Sequence, residues 1–298
     1  MTLAPVALFT YSRLDTLQQV VAQLKKNERS AETDLFIFSD GPKTAAHEAK
    51  VSLVRDFIKT ITGFKSIKIL ESPTNKGLAK SIIDGVSQVI EEYGKVIVLE
   101  DDLVTSSNFL VYMNAALDFY AGNPDIFSVA GFSYPMKHLG EQDVYFTLRG
   151  SSWGWATWKD RWLDIDWELK TYPAFRSDRT KRRQFNKMGS DMSHMLDKQM
   201  RGETDSWAIR WVYHQFQKHS YTVFPAVSKV KNIGFESGAT HTIDSAGRFR
   251  TILDNTGNGA FHFTHHIGMN PKILKQFTFH FSIYTRVKYK ILNAFSRS

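Results

Sequence analysis

The sequence contains no cysteine, and this absence excludes several kinds of functional site. Without thiols there is no structural disulfide, no zinc–thiolate or iron–sulfur centre and no thiol nucleophile. Apolar runs of about 18 residues, the length that crosses a membrane, are also absent. Residues 1–6 lack the basic region of a signal peptide. These absences fit a protein of the reducing cytoplasm.

Acidic residues are missing from the C-terminal end of the chain, where none follows Asp254. Basic residues there supply most of the formal charge of +8, and aromatic and aliphatic residues stand between them. The basic residues of this tail are Lys272, Lys275, Arg286, Lys288, Lys290 and Arg297. The pattern fits contact with an anionic membrane surface, and equally a helix packed on the protein with a solvated basic face. Contact with nucleic acid is a third interpretation, which we do not expect.

Hydrophobic residues make up 42% of the 298 residues, enough for one large domain or two small ones. Strand-like and helix-like stretches alternate in the first half, which predicts an α/β fold with a mostly parallel central sheet flanked by helices. Predicted strands cover residues 4–10, 35–38, 66–70, 95–99, 126–130 and 221–224. Predicted helices cover residues 14–26, 44–61, 78–93, 108–120 and 204–218.

The most informative stretch is a strand that runs directly into three acids. Residues 96–99 form an apolar run typical of a strand buried on both faces. Glu100, Asp101 and Asp102, the acidic triplet, follow at the end where open α/β sheets bind their ligands. Crowded carboxylates repel one another unless a cation holds them, and Mg2+ or Mn2+ suits carboxylate and phosphate oxygens. The stretch indicates a metal–phosphate site, with an ordinary polar strand exit as the alternative.

Other polar residues follow neighbouring predicted strands. Arg13, Asp40, Asn75 and Lys76 come after the first three strands, so in a parallel sheet they share one edge with the acidic triplet. A guanidinium, a carboxylate and an amide–ammonium pair suit a nucleoside diphosphate. Taken singly, Arg13 and Asp40 are better interpreted as ordinary loop and turn residues, and it is their joint placement that favours a binding site. A dinucleotide fingerprint and a phosphate-binding P-loop are both absent.

These residues resemble the GT-A glycosyltransferases, whose N-terminal half is Rossmann-like and binds a nucleotide sugar. Within that fold the sequence is most similar to the inverting N-acetylglucosaminyltransferase I type and to bacterial family 2-like enzymes of polysaccharide assembly. The acidic triplet stands where the family has its Asp-x-Asp motif. The matching stretches are residues 5–13, 38–40, 75–77, 96–103 with Phe109, 153–155 and 204–207.

The resemblance implies a role for each donor-site residue. Arg13 and Asp40 would contact the uridine, and Asn75 and Lys76 would also lie in the donor site. In the acidic triplet, the last Asp would ligate the metal, the middle Asp would lie near the ribose or a metal-bound water, and Glu100 would contact hydroxyls of the donor sugar. The metal ligand is thus expected to be Asp102, with Mn2+ or Mg2+ as the cofactor.

The second half is expected to supply the remaining groups. Asp205 matches the catalytic base of the family, with Glu203 as the substitute and an N-cap role for Asp205 as the alternative. Trp153 and Trp155 are expected to form a sugar-facing platform, with core packing as the alternative. His241, in a Gly- and Ser-rich loop, would contact the metal or diphosphate. Lys229 and Lys231 could also reach phosphate, or be ordinary strand-exit residues, and the pair at 265–266 is interpreted as structural.

The expected division of the chain follows from these roles. Residues 1–131 form the nucleotide-sugar-binding half, residues 132–270 form the acceptor or lid region with the base, and residues 271–298 form the basic aromatic tail. The expected activity is metal-dependent, inverting transfer of a sugar from a UDP-sugar to a glycan or lipid-linked acceptor in surface polysaccharide biosynthesis. A sugar-phosphate nucleotidyltransferase, or a non-catalytic nucleotide-sugar-binding protein with a decayed site, is the alternative.

The chain departs from one part of the resemblance. Golgi members of the family carry an N-terminal membrane anchor, and nothing of that kind stands at the start of this sequence. We therefore expect a cytoplasmic, bacterial enzyme. If the basic aromatic tail binds lipid, the enzyme would be peripheral on the inner face of the plasma membrane.

Overall fold

The computed structural model describes residues 2–137, 139, 142–235 and 247–295. The strands are β1 Val6–Thr10, β2 Asp34–Ser39, β3 Ser66–Glu71, β4 Lys95–Glu100, β5 Leu103–Thr105, β6 Ile126–Ala130, β7 Val144–Thr147, β8 Trp155–Trp158, β9 Tyr221–Pro225 and β10 Val230–Asn232. The α-helices are α1 Leu14–Lys25, α2 Ala45–Ile58, α3 Leu78–Tyr93, α4 Phe109–Phe119, α5 Lys159–Leu163, α6 Tyr172–Ser177, α7 Arg179–Phe185, α8 Met192–Met200, α9 Trp207–Gln217, α10 Pro271–Phe279 and α11 Ile283–Phe295.

A central sheet of eight strands organises the fold, in the order β3-β2-β1-β4-β8-β6-β9-β7. The pairs β3–β2, β2–β1, β1–β4 and β6–β9 are parallel, whereas β8 is antiparallel to both of its neighbours and β7 is antiparallel to β9. Strands β5 and β10 form a separate antiparallel pair. The predicted α/β class, with a mostly parallel central sheet flanked by helices, is confirmed.

Alternation along β1 explains how the sheet is covered on both faces. Val6 and Leu8 belong to one buried cluster with α1, α2 and α4, whereas Ala7 and Phe9 belong to a second cluster with α3 and α9. Successive side chains of a strand point to opposite faces, so a strand that is apolar throughout needs helices on both sides. The apolar runs of β1 and β4 are therefore central strands, as predicted.

The six predicted strands are confirmed, with ends that move by two residues at most, and all five predicted helices are present. Strands β5, β7, β8 and β10 have no counterpart in the prediction. Strand β8 enters the sheet between β4 and β6, so the predicted halves 1–131 and 132–270 share one sheet. Within the described residues, no helix is long and apolar enough to pass through a bilayer.

Candidate active site at the carboxyl ends of the central strands

The order of the strands creates a crevice between the carboxyl ends of β1 and β4. From β1 the chain moves to β2 and β3 on one side and then returns to β4 on the other side of β1. Ligands of open α/β sheets bind at such a reversal, outside the carboxyl ends of the strands. Phe9 near the end of β1 pairs with Glu100 at the end of β4. The loop after β1 and the acidic triplet therefore border the same crevice.

Arg13 joins the two sides of this crevice. One nitrogen of its guanidinium, Nη2, donates to Asp101 Oδ1 and also to Asp102 Oδ2, the latter at 2.9 Å. Asp101 accepts two further hydrogen bonds, from Thr10 Oγ1 at 3.3 Å and from the Tyr11 amide at 3.2 Å, and only 4% of its surface is exposed. Asp101 thus fixes the β1 loop, and it leaves Asp102 and Glu100 as the carboxylates nearer to a ligand.

The acidic triplet has more negative charge than its described neighbours offset. Three carboxylates stand against the one guanidinium of Arg13, which leaves two negative charges when all three are ionised. Burial, together with the carboxylates of Asp102 and Asp101, raises the pKa of Glu100 to about 8. Burial lowers the pKa of Arg13, but the opposite effect of the two Asp carboxylates is larger, so the pKa of Arg13 lies above its ordinary value. A divalent cation has the charge that would balance this site.

The carboxylate oxygens at the crevice are possible ligands for a divalent cation. Among the described residues, no three His, Asp or Glu side chains come together as a metal-binding group. Mg2+ bound together with substrate phosphates needs only one or two protein carboxylates, and it keeps waters in its other positions. Asp102 and Glu100 are hard oxygen donors at the crevice, and the excess charge favours a cation. These residues therefore fit a divalent metal that is shared with a diphosphate.

The chain after β10 passes directly over Asp102. The Ile233 amide donates to the Asp102 carbonyl oxygen at 2.8 Å. At Gly234, an added Cβ would lie 2.3 Å from Asp102 Oδ2 and 2.9 Å from Arg13 Nη1, so a larger residue would displace these side chains. The sequence did not indicate this contact, because Gly234 is distant along the chain from the acidic triplet. His241, the other predicted metal contact, lies outside the described residues.

Asp40 fastens two loops at the carboxyl ends of β2 and β3. Its Oδ1 accepts from the amides of Gly41 and Lys76, at 2.9 and 2.8 Å. Its Oδ2 accepts from the Gly77 amide at 3.0 Å and from Asn75 Nδ2 at 3.1 Å. A carboxylate has about four acceptor sites, so all of them are taken. The structure thus unites Asp40 with Asn75 and Lys76, and the role it assigns to Asp40 is to shape the site.

A cavity of about 210 Å3 lies beside this junction, between the carboxyl ends of β2 and β3 and helix α3. Asp40 and Lys76 line it together with Phe38, Pro73 and Asp84. Lys76 Nζ lies 3.7 Å from Asp84 Oδ2, and the Lys76 side chain is 41% exposed. An exposed ammonium in this position remains accessible to an anionic ligand.

Asp205 lies just before α9, at the same edge of the sheet as the crevice. Trp207, two residues later, stacks on Trp155 at 5.1 Å, and Trp155 pairs with Val98 near the end of β4. The Asp205 side chain is 68% exposed and pairs with Arg210 at 3.0 Å. The N-cap of α9 is Ser206, whose hydroxyl accepts from the Ile209 amide, so the capping alternative for Asp205 is wrong. Asp205 and the acidic triplet are not in contact.

The two tryptophans of the predicted platform lie in different surroundings. Trp155 is 1% exposed, and its ring packs against Trp162, Trp207 and Trp211 at centroid distances of 4.6 to 5.4 Å. A ring enclosed by three indoles has no face for a sugar. The prediction that Trp155 forms part of a sugar-facing platform is therefore wrong, because Trp155 is in the core. For Trp153 the platform role stays a prediction.

Trp153 borders a cavity of about 170 Å3, called here the aromatic cavity. Its ring meets Phe132 and Phe249 edge-to-face, at 4.7 and 5.3 Å. It also meets Phe235 at 5.4 Å, and Phe235 directly follows Gly234, the residue that touches Asp102. Phe235 and Gly234 therefore link a wall of the aromatic cavity to the acidic triplet. The other residues lining this cavity are Tyr134, Arg149, Gly150, Ser151, Ser152, Phe224, Phe277 and Phe281.

Lys229 is engaged elsewhere, so its interpretation as a phosphate contact is wrong. It is 5% exposed and forms a buried ion pair with Asp254. Burial alone would raise the pKa of Asp254, but hydrogen bonds from Asn108, Lys229 and Thr256 hold it below its ordinary value. The sequence did not indicate this partner, since Asp254 is a single acid in a polar loop. Lys231, by contrast, is exposed on β10.

No protein-family model and no curated protein matches the chain significantly. Among solved structures, S. aureus TarS is similar over 54% of this chain and 30% of its own, with 14% identity and a TM-score of 0.37. The structure of TarS 1-349 is similar over 77% and 60%, with 9% identity and a TM-score of 0.44. The mannosyltransferase PcManGT from Pyrobaculum calidifontis, in complex with GDP-Man and Mn2+, is similar over 53% and 46%, with 12% identity and a TM-score of 0.37. The chain thus spans less than two thirds of each of these structures.

Proposed function

We propose that this protein is a metal-dependent, inverting glycosyltransferase of the GT-A type, which moves a sugar from a UDP-sugar to a glycan or lipid-linked acceptor. The observation that carries the proposal is the crevice between β1 and β4, where the single guanidinium of Arg13 meets the three carboxyl groups of the acidic triplet. A nucleoside diphosphate bound with a divalent cation complements this arrangement of one guanidinium and three carboxylates. Neutral small molecules would leave the excess charge unbalanced.

In the proposed donor complex, Asp102 holds the cation and Glu100 faces the sugar. Arg13, which pairs with Asp102 in this structure, would contact the uridine or its phosphates. Asp40 would act indirectly, because its four acceptor sites hold the loops around Asn75 and Lys76. Lys76 is exposed and would meet an anionic group of the donor. A bound divalent cation would offset the charge that develops on the leaving diphosphate.

The proposed transfer is a single displacement at the anomeric carbon. A carboxylate, for which we propose Asp205, removes the proton of the acceptor hydroxyl. That oxygen forms the new bond while the bond between the anomeric carbon and the diphosphate oxygen breaks on the opposite face, so the configuration inverts. The transition state has oxocarbenium character, as in glycoside hydrolysis. Asp205 is exposed and forms an ion pair with Arg210, so a bound acceptor would have to reach it.

The aromatic cavity is the proposed acceptor site. One of its lining residues, Trp153, contacts Phe235, which follows Gly234 in the chain. The walls of the cavity are aromatic apart from a few small polar residues and Arg149. Aromatic faces pack against the C–H face of a sugar ring and against apolar chains. The exposed part of Trp153 would provide that face, and the transferred sugar would leave the crevice next to it.

The test is a donor assay with the purified full chain. We expect UDP release when Mn2+ or Mg2+, a UDP-sugar and an acceptor extract are combined, and none after the metal is chelated. Release of pyrophosphate from a nucleoside triphosphate and a sugar phosphate would instead establish a nucleotidyltransferase. UDP binding that depends on metal, without turnover on any donor of a broad panel, would establish the non-catalytic alternative. Absence of both binding and turnover would refute the proposal.

A further inference from the structure

Helix α11 is amphipathic in the reverse sense, with its polar side toward the protein. Thr285 is 2% exposed, and its hydroxyl donates to the Phe279 carbonyl at 2.7 Å. Arg286 and Tyr289 are half-buried on the same side, and Arg286 Nη1 donates to Ser190 Oγ at 3.2 Å. A helix on the surface of a globular protein normally turns its apolar stripe inward. Here that stripe faces away from the protein.

The outward stripe is named here the α11 apolar face. Its residues, with their exposed fractions, are Ile283 67%, Tyr284 67%, Val287 51%, Ile291 50% and Leu292 42%. Ile283, Val287 and Ile291 are spaced by four residues, so they form one row along the helix. Scattered exposed apolar side chains are normal, but a contiguous row marks a surface that another body covers.

Helix α10 fixes this face to the rest of the molecule. Ile273 and Phe277 of α10 are buried against Tyr134, Tyr145 and Phe224 of the main domain. Phe279, at the end of α10, is 55% exposed and extends the apolar surface from α11. The α11 apolar face therefore has a defined orientation relative to the sheet, which a loose tail would not have.

The charges beside the face decide what covers it. Lys288 and Lys290 are exposed, and at about 100° per residue they lie on opposite sides of the row. Helix α11 has no acid of its own to offset them, since the sequence has none after Asp254. A second copy of the chain would bring the same cations together across a symmetric contact, which is unfavourable. In an anionic membrane, the apolar layer complements the α11 apolar face and the anionic headgroups complement the two lysines.

We propose that the α11 apolar face lies in the interface of an anionic membrane, with Lys288 and Lys290 at the level of the headgroups. The helix would lie along the surface and not cross it, with its 13 residues roughly parallel to the bilayer. This proposal does not depend on sugar transfer. If the proposed function also holds, the aromatic cavity, to which Phe277 and Phe281 contribute, would open near the lipid and favour a lipid-linked acceptor.

The test is sedimentation of the full chain with vesicles, without donor or metal, so that its result is independent of catalysis. We expect binding to phosphatidylcholine vesicles that contain phosphatidylglycerol, and weak binding to phosphatidylcholine alone. The combined variant Ile283→Ser, Val287→Ser, Ile291→Ser should bind more than about tenfold more weakly, because it removes the apolar face. Leu53→Ser, at an apolar residue that is 56% exposed on α2, is the matched control and should bind as the parent does.

A variant without the two lysines tests the contribution of the positive charges beside the α11 apolar face. Lys288→Gln combined with Lys290→Gln should weaken binding about fivefold per cation and reduce its dependence on salt. The control is Lys26→Gln combined with Lys50→Gln, at two exposed lysines elsewhere. Equal binding to neutral and anionic vesicles, or a triple serine variant that binds as the parent does, would overturn the proposal. So would a dimer in analytical ultracentrifugation that the triple variant dissociates, because a second copy would then cover the face.

Discussion

Two parts of the central sheet differ in whether the polar residues that follow their strands contact one another. In the parallel part, made of β3, β2, β1 and β4, residues from successive strand ends contact one another, as Arg13 does with Asp101 and Asp40 with Asn75. In the mixed part, made of β8, β6, β9 and β7, the strands run in both directions. Among the described residues, those predicted there to take part in catalysis or sugar binding do not contact one another. Asp205 is exposed, and Trp155 is in the core.

The difference follows from strand direction. Parallel strands all end at one edge, so any polar residue that follows a strand is delivered to the same crevice. Neighbouring antiparallel strands end at opposite edges of the sheet. A residue in the segment that connects them lies near the crevice only if the connecting loop leads back to that edge. The polar residues of the parallel part, the proposed donor half, thus contact one another before any ligand binds, whereas the proposed base, Asp205, is exposed at the surface. Each of the following predictions tests one side of this comparison.

The largest effect is expected at Asp205, the proposed contribution of the second half. Asp205→Asn should lower the rate of transfer roughly 10^2- to 10^4-fold, the usual range for loss of a general base. Binding of UDP with Mn2+ should not change, because the donor half is separate. Loss of the exposed ion pair with Arg210 should cost less than about 1 kcal/mol of stability.

The control for this prediction is Glu203→Gln, at an exposed carboxylate paired with Arg201. We expect its transfer rate to equal that of the parent. An active Asp205→Asn enzyme together with an inactive Glu203→Gln enzyme would move the base to Glu203. If both variants are fully active, the second half does not supply the base from this segment.

The next effect is on stability, and it separates the two tryptophans of the 153–155 segment. Trp155→Ala should lower the free energy of unfolding by about 3 to 5 kcal/mol, since it leaves a large cavity among three indoles. Trp153→Ala, at a half-buried ring, should cost much less but raise the KM for the acceptor. Urea unfolding and acceptor titrations measure the two quantities. Equal destabilisation by both changes would contradict the assignment of Trp153 to a binding surface.

The same segment explains how far the sequence predicts the molecule. The strands of the parallel part and their polar ends follow from apolar runs that are succeeded by Arg13, Asp40 and the acidic triplet. The structure joins Arg13 to the acidic triplet, and it joins Asp40 to Lys76. Strand β8, Trp155–Trp158, runs directly into helix α5 at Lys159, so no turn signal marks where it ends. Its partner β4 lies more than fifty residues earlier in the chain, so pairing rather than local propensity decides its place.

Contacts made by single residues were equally beyond prediction. A side chain at Gly234 would displace Asp102 and Arg13, and no local pattern marks such a long-range approach. The sequence leaves Lys229 open as a phosphate contact or an ordinary strand-exit residue, whereas in the structure Asp254 holds it in the interior. Sequence indicates which residues reach a strand end, and tertiary pairing decides which of them remain accessible to a ligand.

A smaller effect on activity is expected at the metal side of the donor half. Asp102→Asn should lower metal-dependent turnover roughly 100-fold, through weaker binding of the cation and the diphosphate. Asp160→Asn, at an acid whose side chain is 72% exposed on α5, is the control and should leave turnover unchanged. Isothermal titration with UDP, with and without Mn2+, measures the binding. If Asp102→Asn retains the metal dependence of the parent, the acidic triplet is not the cation site.

The smallest effect concerns pH and follows from Glu100. Its pKa is about 8 in the folded protein and near 4.5 when unfolded, so the folded state binds more protons between these values. The free energy of unfolding should therefore fall as pH rises from about 4.5 to 8, by a few kcal/mol at most. Glu100→Gln cannot ionise. Its Tm should exceed that of the parent at pH 8 by on the order of 2 to 5 °C and approach it at pH 5.

A divalent cation sharpens this last prediction. If Mg2+ binds at the acidic triplet, it lowers the pKa of Glu100 and removes the penalty of ionising it, so Mg2+ should raise the Tm of the parent more at pH 8 than at pH 5. Glu203→Gln, at an exposed carboxylate, should behave as the parent. A parent Tm that is unaffected by Mg2+ at pH 8 would mean that Arg13 alone suffices for the acidic triplet. The donor half would then be assembled for a ligand that brings no metal.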